Sequence, residues 1–375
     1  MSDQGFNSNI RVGKKKLHIQ TSYAEETSKA SVSVFEEGRL IDKREMQVDT
    51  AVAENVSEEV KQFHELVISD LKMLFYVAKQ VRSSKYVPSI KKLGQLFLAK
   101  GFFDEAIDLF QLANKIDPRT ADCSFELGQA YFKKSEFKTA LEQLQLKAEA
   151  NPEYPDVHLL IGQAFWKLAQ FSSAIKSVKT AIRLNKEYDL AYFYLGKFLI
   201  ESTIHSPKNS ELAPPIERIK EAVKNFKMAM SLSTDFNPTA MASGFEKLES
   251  REKVEEALAE FDRAFSPITT PEKNMIVDSE FYLKFMFSGL EKDRELDHHI
   301  KTIEKSVFQH PDYPDLHQSL GLAYLIKGWH YFVKSTEEFR AAVKINPSFA
   351  SARKKLKLLE NDGRGFLILL RAILK

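Results

Sequence analysis

ADCSFELGQAYFKKSEFKTALEQLQLKAEANPEY, residues 121–154, and PDVHLLIGQAFWKLAQFSSAIKSVKTAIRLNKEY, residues 155–188, are two copies of one pattern. Leu127-Gly128 and Ile161-Gly162 stand 34 residues apart, and the same interval leads upstream to Leu93-Gly94 and downstream to Leu195-Gly196. Ala106, Ala140 and Ala174 follow these pairs at a constant distance, and Phe110, Leu144 and Val178 come four residues later. Pro118 and Pro152 close the first two units, and Ala113 and Ala181 form another small-residue column. A period of this length marks stacked supersecondary units and is read before any local motif. Each unit reads as a pair of helices. The glycine of the first helix costs about 1 kcal/mol of helix propensity, so it marks a place where the second helix must come close. The alanine supplies the opposing small surface, and the larger residue one turn on is expected to fill the space between neighbouring units. One pair cannot bury its own apolar face, so the units must stack, and stability becomes a sum over units and nearest neighbours.

The length, glycine, alanine and proline columns resemble tetratricopeptide repeats, clearly over residues 87–234 and again over 314–361. The resemblance implies a mainly α fold, an α-solenoid of helix pairs, with Gly94, Gly128, Gly162, Gly196 and Gly321 and Ala106, Ala140, Ala174 and Ala222 as its structural positions. Three segments depart from the pattern. Between Leu199 and Ala222 there are 14 residues more than the repeat predicts, read as a loop over about 203–216 that contains Pro207, Pro214 and Pro215. Residues 238–311 read as degenerate helical repeats: Ala257, Phe261 and Ala264 keep the second-helix columns, Phe281, Phe285 and Ile303 suggest a further pair, and the glycine column has drifted. Residues 314–375 read as one more unit, Pro314 to Pro347, followed by capping helices. Its opening, Tyr313-Pro314-Asp315-Leu316-His317, nearly copies Tyr154-Pro155-Asp156-Val157-His158, and the apolar run Phe366 to Leu370 is expected to seal the open end.

Ahead of the repeats the period changes. Residues 1–16 read as a flexible N-terminus ending in Lys14-Lys15-Lys16. Residues 17–50 read as a small antiparallel β-meander of three strands: Leu17, Ile19, Thr21 and Tyr23 alternate with polar residues, as do Ala30, Val32 and Val34, and Gly38 marks the turn into Leu40 to Val48. Three strands have too little core alone. A long helix over 56–84 is the expected cover, since Val60, Phe63, Val67, Leu71, Leu74, Ala78 and Val81 form one stripe. A β module, a long helix and a repeat array are similar to an arrangement found in some bacterial tetratricopeptide proteins.

Composition narrows the function. Lys plus Arg is 54 against 52 for Asp plus Glu, a net charge of +2, which argues against an RNA-binding solenoid with a basic face. One cysteine, Cys123, rules out an internal disulfide framework and multi-cysteine metal sites. No apolar run reaches the roughly 18 residues of a spanning helix. The N-terminal residues are polar, and the expected setting is the cytoplasm. There is no phosphate loop, nucleophile elbow or paired His-Glu metal helix. Asp297-His298-His299 lacks the further acidic and histidine clusters that a metal site would need. No catalytic residue, metal or cofactor is therefore expected, and an enzyme would have to hide its activity in the irregular segment.

The resemblance also implies where a partner binds. First-helix residues of such pairs line the concave side, and its groove positions fall on Asp122, Phe125, Gln129, Phe132 and Lys133, then on Asp156, Leu159, Gln163, Trp166 and Lys167, then on Phe193 and Lys197. Aromatic anchors beside adaptable polar groups suit partner grooves. The expected function is a non-enzymatic scaffold or adaptor for a protein or peptide segment, an acidic or amphipathic one given the lysine rows, with nucleic acid not expected. An RNA-binding or a membrane- or secretion-apparatus-associated repeat protein is the alternative. Chaperone-binding relatives use a lysine–asparagine clamp; here Lys91 and Gln95 stand at those places and the asparagines are missing.

Overall fold

The computed structural model describes residues 5–48, 56–118, 121–249, 253–265 and 314–373, the last with backbone alone at 314–316, 318, 319, 322, 330, 362, 364 and 366–373, and a few isolated positions between 283 and 311. The described chain divides into two compact units, Met1–Ser69 with Val81–Thr270, and Asp70–Gln80 with Pro271–Lys375.

The first unit opens with a sheet of four strands, β1 (Phe6–Val12), β2 (Lys15–Ala24), β3 (Lys29–Glu36) and β4 (Arg39–Gln47), an antiparallel meander in the order β1-β2-β3-β4. Leu17, Ile19 and Thr21 of β2 and Ala30, Val32 and Val34 of β3 are buried, and their neighbours in sequence point the other way. Glu37 and Gly38 both have positive φ, which suits a two-residue turn matched to the strand twist. The strand β1 corrects the expected flexible start. Its alternation is Phe6, Ser8, Ile10 and Val12 against Asn7, Asn9 and Arg11, and a serine on the inner face dilutes the apolar signal.

Ser8 faces inward because of α1 (Val56–Ser84). His64 of this helix is buried between two hydroxyls: Thr21 Oγ1 lies 2.7 Å from Nδ1 and Ser8 Oγ lies 2.8 Å from Nε2. A neutral imidazole meets both, donating through one nitrogen and accepting through the other. Around it Val60 is buried with Ala30 and Val48, and Phe6, Tyr23, Met46 and Phe63 close the cluster.

Five helix pairs follow in the same unit: α2 (Val87–Ala99) with α3 (Phe103–Ile116), α4 (Ser124–Lys133) with α5 (Phe137–Ala150), α6 (Pro155–Lys167) with α7 (Phe171–Leu184), α8 (Asp189–His205) with α9 (Pro215–Leu232), and α10 (Pro238–Glu249) with α11 (Val254–Ala264). The sheet reaches the first pair directly. Arg39 lies over the ring of Phe103 at 5.0 Å, and Lys15 joins Glu36 of its own sheet with Glu105 of α3 at 3.2 Å.

The alanines of the repeat, Ala106, Ala140, Ala174 and Ala222, are all fully buried. The large-residue column does more than fill the space between pairs. A Cβ built on Gly94 would lie 2.5 Å from the Phe110 ring, on Gly128 2.6 Å from Leu144, on Gly162 2.6 Å from Val178 and on Gly196 2.9 Å from Phe226. The glycine thus receives the large side chain of its own pair, and that side chain also packs on the next pair, as Leu144 does with Val157 and Ile161 and Phe226 does with Phe261 at 4.1 Å. The same geometry recurs at Gly244 with Phe261, at 2.6 Å. The glycine column has therefore not drifted at residue 244: the interval from Gly196 is one repeat plus the 14-residue insertion.

That insertion is not all loop. It lengthens α8 to 17 residues and α9 to 18, where α6 and α7 have 13 and 14, and only 206–214 lie between them. Arg218 of α9 is 1% exposed and holds the end of α8: Nη1 donates to the carbonyl of Ser202 (2.7 Å), its hydroxyl (2.9 Å) and the carbonyl of Ser206 (3.2 Å), and Nη2 donates to the carbonyl of Pro207 (2.9 Å). Carbonyls at a helix C-terminus lack partners within the helix and carry partial negative charge, so a guanidinium there satisfies both demands.

In the second unit the expected pair from Pro314 to Pro347 is a single helix, α12 (Pro314–Ile345), followed by α13 (Ala350–Ile373). Residues Lys100 to Gly101, Lys134 to Ser135 and Leu168 to Ala169 break the earlier pairs with a positive φ at the second residue. The corresponding residues, Lys327 and Gly328, have no such break, and Thr336 Oγ1 bonds back along the helix to the carbonyl of Phe332 at 2.9 Å. Gly321 consequently faces no second helix among the described residues: nothing lies within 4 Å of a Cβ built there, so the close approach expected of it is not made. Phe281 and Phe285 lie outside the described residues, as do the side chains of the expected seal, Phe366 to Leu370.

Candidate partner-binding face

The groove columns on α4, α6 and α8 separate into three kinds. The column Phe125, Leu159, Phe193 is interior. Leu159 and Phe193 are 5% and 2% exposed in one core, where the Phe193 ring lies 5.2 Å from those of Phe236 and Phe265. Phe125 is half-buried against Leu144, Val157 and Ile161. Leu159 and Phe193 are thus corrected from groove to core. Positions i and i+4 differ by only about 40° around a helix, so a register argument does not separate the stripe facing the next pair from the open stripe beside it.

Phe132 and Trp166 form the second kind. Both are half-buried and used by neighbours: Trp166 is stacked on Phe198 with centroids 4.7 Å apart and planes 7° apart, and also lies 4.7 Å from Phe171, while Phe132 meets Phe137 edge-on at 5.4 Å. Gln129 and Gln163 are half-buried beside them, and Lys133 and Lys167 are exposed. These last four are the polar groups that the face presents to solvent.

The third kind is a charge cluster. Lys197 pairs with Asp262 of α11 at 2.5 Å and with Glu201 at 3.7 Å. Burial pushes the Glu201 carboxyl up to about 7, against the pull of Lys197 and Lys167. Glu201 and Asp262 were not singled out from the sequence, although a signal for the first was present: Lys133, Lys167 and Glu201 stand 34 residues apart, one column that changes sign.

Other candidates resolve into structure. Lys91 donates to the carbonyl of Ala121 at 2.8 Å and lies 3.3 Å from Glu126, so it is already engaged. Asp122 pairs with Lys147, and Asp156 accepts from the Tyr188 hydroxyl, both at 2.5 Å. His158 and His317 each donate through Nε2 to the carbonyl of a proline six residues back, Pro152 and Pro311, both at 2.9 Å. The two similar pentapeptides therefore build the same local staple. Cys123 is buried and its thiol is pushed up to about 11, against a reactive thiolate. Asp297 pairs with Lys327 at 2.8 Å, and His298 and His299 lie outside the described residues. Among the described residues no three His, Cys, Asp or Glu side chains come together as a metal site, and no helix is long and apolar enough to cross a membrane.

Residues 91–155 and 155–188 match tetratricopeptide repeat models. The chain thus contains tetratricopeptide repeats over residues 91–188. Among solved structures it is similar to that of MamA, at 21% identity over 48% of this chain and 89% of that one with a TM-score of 0.36. A structure of MamA from Desulfovibrio magneticus RS-1 is similar at 20% over 47% and 92%, with a TM-score of 0.36. TTC0263, a thermophilic TPR protein in Thermus thermophilus, is similar at 20% over 52% and 99%, with a TM-score of 0.37. No curated protein matches the sequence. Tetratricopeptide repeats support a protein-interaction scaffold in general.

Proposed function

We propose that this tetratricopeptide repeat chain is a cytoplasmic adaptor that holds a segment of a partner protein along α4, α6 and α8 and performs no chemistry on it. The observation that carries the reading is the row Gln129, Lys133, Gln163 and Lys167: polar, regularly repeated, and with both lysines exposed and in no ion pair among the described residues. Half-buried Phe132 and Trp166 offer ring edges beside it. Two lysines in adjacent repeats favour an acidic or amphipathic segment, mainly through association rate and salt sensitivity.

The test is affinity capture with the full chain, followed by titration of the retained partner at several salt concentrations. Lys133→Glu with Lys167→Glu should weaken binding about ten-fold or more and flatten its salt dependence, while Lys138→Glu with Lys176→Glu, on the second helices, should change little. Equal loss in both double variants, or none in either, would move the partner off this face. Trp166→Ala is a poor probe, because its stack on Phe198 makes it part of the packing.

A further inference from the structure

Residues 339–359 contain Arg340, Lys344, Arg353, Lys354, Lys355 and Lys357 and no aspartate or glutamate. The stretch is the end of α12, a tight turn and the start of α13. The turn is closed on Asn346, whose Oδ1 accepts from Ser348 N at 3.1 Å and from Ser348 Oγ at 2.7 Å, and whose carbonyl accepts from Phe349 N at 3.0 Å. At its two ends stand Ile345, 85% exposed, and Phe349, 51% exposed. Phe349, Arg353 and Lys357 follow at intervals of four and share one face of α13, with Lys354 and exposed Leu358 in the next row. Arg340 is paired with Glu360 at 3.1 Å, and Lys355 lies 5.7 Å over the Phe339 ring. Lys344, Arg353, Lys354 and Lys357 are exposed, with no acidic partner among the described residues.

We propose that this turn is a docking tip for an anionic lipid surface. Ile345 and Phe349 would enter the boundary between headgroups and acyl chains, and the four free cations would lie against the acidic headgroups. Each half of the arrangement needs the other: two apolar side chains give only weak, reversible insertion, and cations near an anionic leaflet each add about five-fold in affinity. A nucleic acid would use the cations but gain little from an isoleucine held out at the tip, and an acidic peptide would need an apolar side chain set opposite it, whereas the acyl boundary offers apolar contact at every point. The site belongs to the second unit and does not depend on the assignment of the α4–α6–α8 face.

The experiment is co-sedimentation of the full chain with phosphatidylcholine vesicles, with and without phosphatidylserine. The chain should pellet with the anionic vesicles, stay in solution with phosphatidylcholine alone, and be released by high salt. Arg353→Glu, Lys354→Glu and Lys357→Glu together should lower vesicle affinity roughly a hundred-fold. Ile345→Ser with Phe349→Ser should lower it about ten-fold and leave binding to a soluble polyanion, polyglutamate, unchanged. All five positions are on the surface, so far-UV circular dichroism should match the parent; if the charge-reversed chain is unfolded, the apolar double variant decides. No pelleting with anionic vesicles, equal pelleting without phosphatidylserine, or undiminished pelleting of the apolar variant would each overturn the proposal.

Discussion

A methyl group added to Gly162 would lie 2.6 Å from Cγ2 of Val178 and 3.1 Å from the carbonyl oxygen of Ala174. The valine could shift, but the carbonyl belongs to α7 and cannot. Gly162→Leu should therefore cost about 2 kcal/mol or more through overpacking, after the gain in helix propensity. Gly321→Ala should have the opposite sign and stabilise by about 0.5–1 kcal/mol, because the added carbon meets open space in a helix interior. Urea denaturation of both variants checks the pair. The contrast also shows what spacing can and cannot disclose. Ile161-Gly162 in register announced the close contact at Gly162, but the similar Leu320-Gly321 meets none, because contact depends on whether the chain turns back. His64 gives a second test. Burial lowers its pKa below the usual 6.5, so below that pH the unfolded chain takes up a proton that the folded one refuses. Its contribution to stability should thus be level above about pH 6.5 and fall as the pH drops toward the folded value. In urea titrations from neutral to mildly acidic pH, His64→Gln should show a shallower fall than the parent; an identical slope would remove His64 as its source.

At the scale of elements, prolines marked the connection between α8 and α9 well, since Pro207 and Pro214 bound the stretch that is truly non-helical. The extra turns on either side were not legible, because what holds them is a contact between residues 16 apart in sequence, Arg218 and Ser202. Arg218→Met keeps the bulk and removes the donors. It would leave the carbonyls of Ser202 and Ser206 with only the backbone donors Ser206 N and Asn209 N and take the guanidinium from that of Pro207, and should cost about 1–3 kcal/mol. Limited proteolysis of the native variant should then show cleavage within 206–214 that the parent resists. If the variant resists equally, the connection is held by something other than this guanidinium. The unbroken α12 has a related lesson. Gly328 stands in the column of Gly101, Ser135 and Ala169, where the earlier pairs turn, yet the chain runs on as helix there, so the local sequence alone does not decide the break.

Across the whole molecule, the period of 34 carried most of the architecture. The inner and outer sides of the first helices were the weakest part of the reading, as Leu159 and Phe193 show, because neighbouring stripes on a helix are both apolar when one faces the next pair. The filling of each glycine by its own pair has a consequence for how such a chain changes length. Phe110 serves Gly94, Leu144 serves Gly128 and Val178 serves Gly162, so no pair borrows the side chain that completes another. A 34-residue cassette such as 121–154 carries its lock and its key together. Gene duplication or excision of whole cassettes therefore leaves no hole inside the pairs that remain, and only the seams between them need to be matched again. A repeat array built in this way can be lengthened toward a longer partner in steps, with the reading frame of its surface columns preserved at every step.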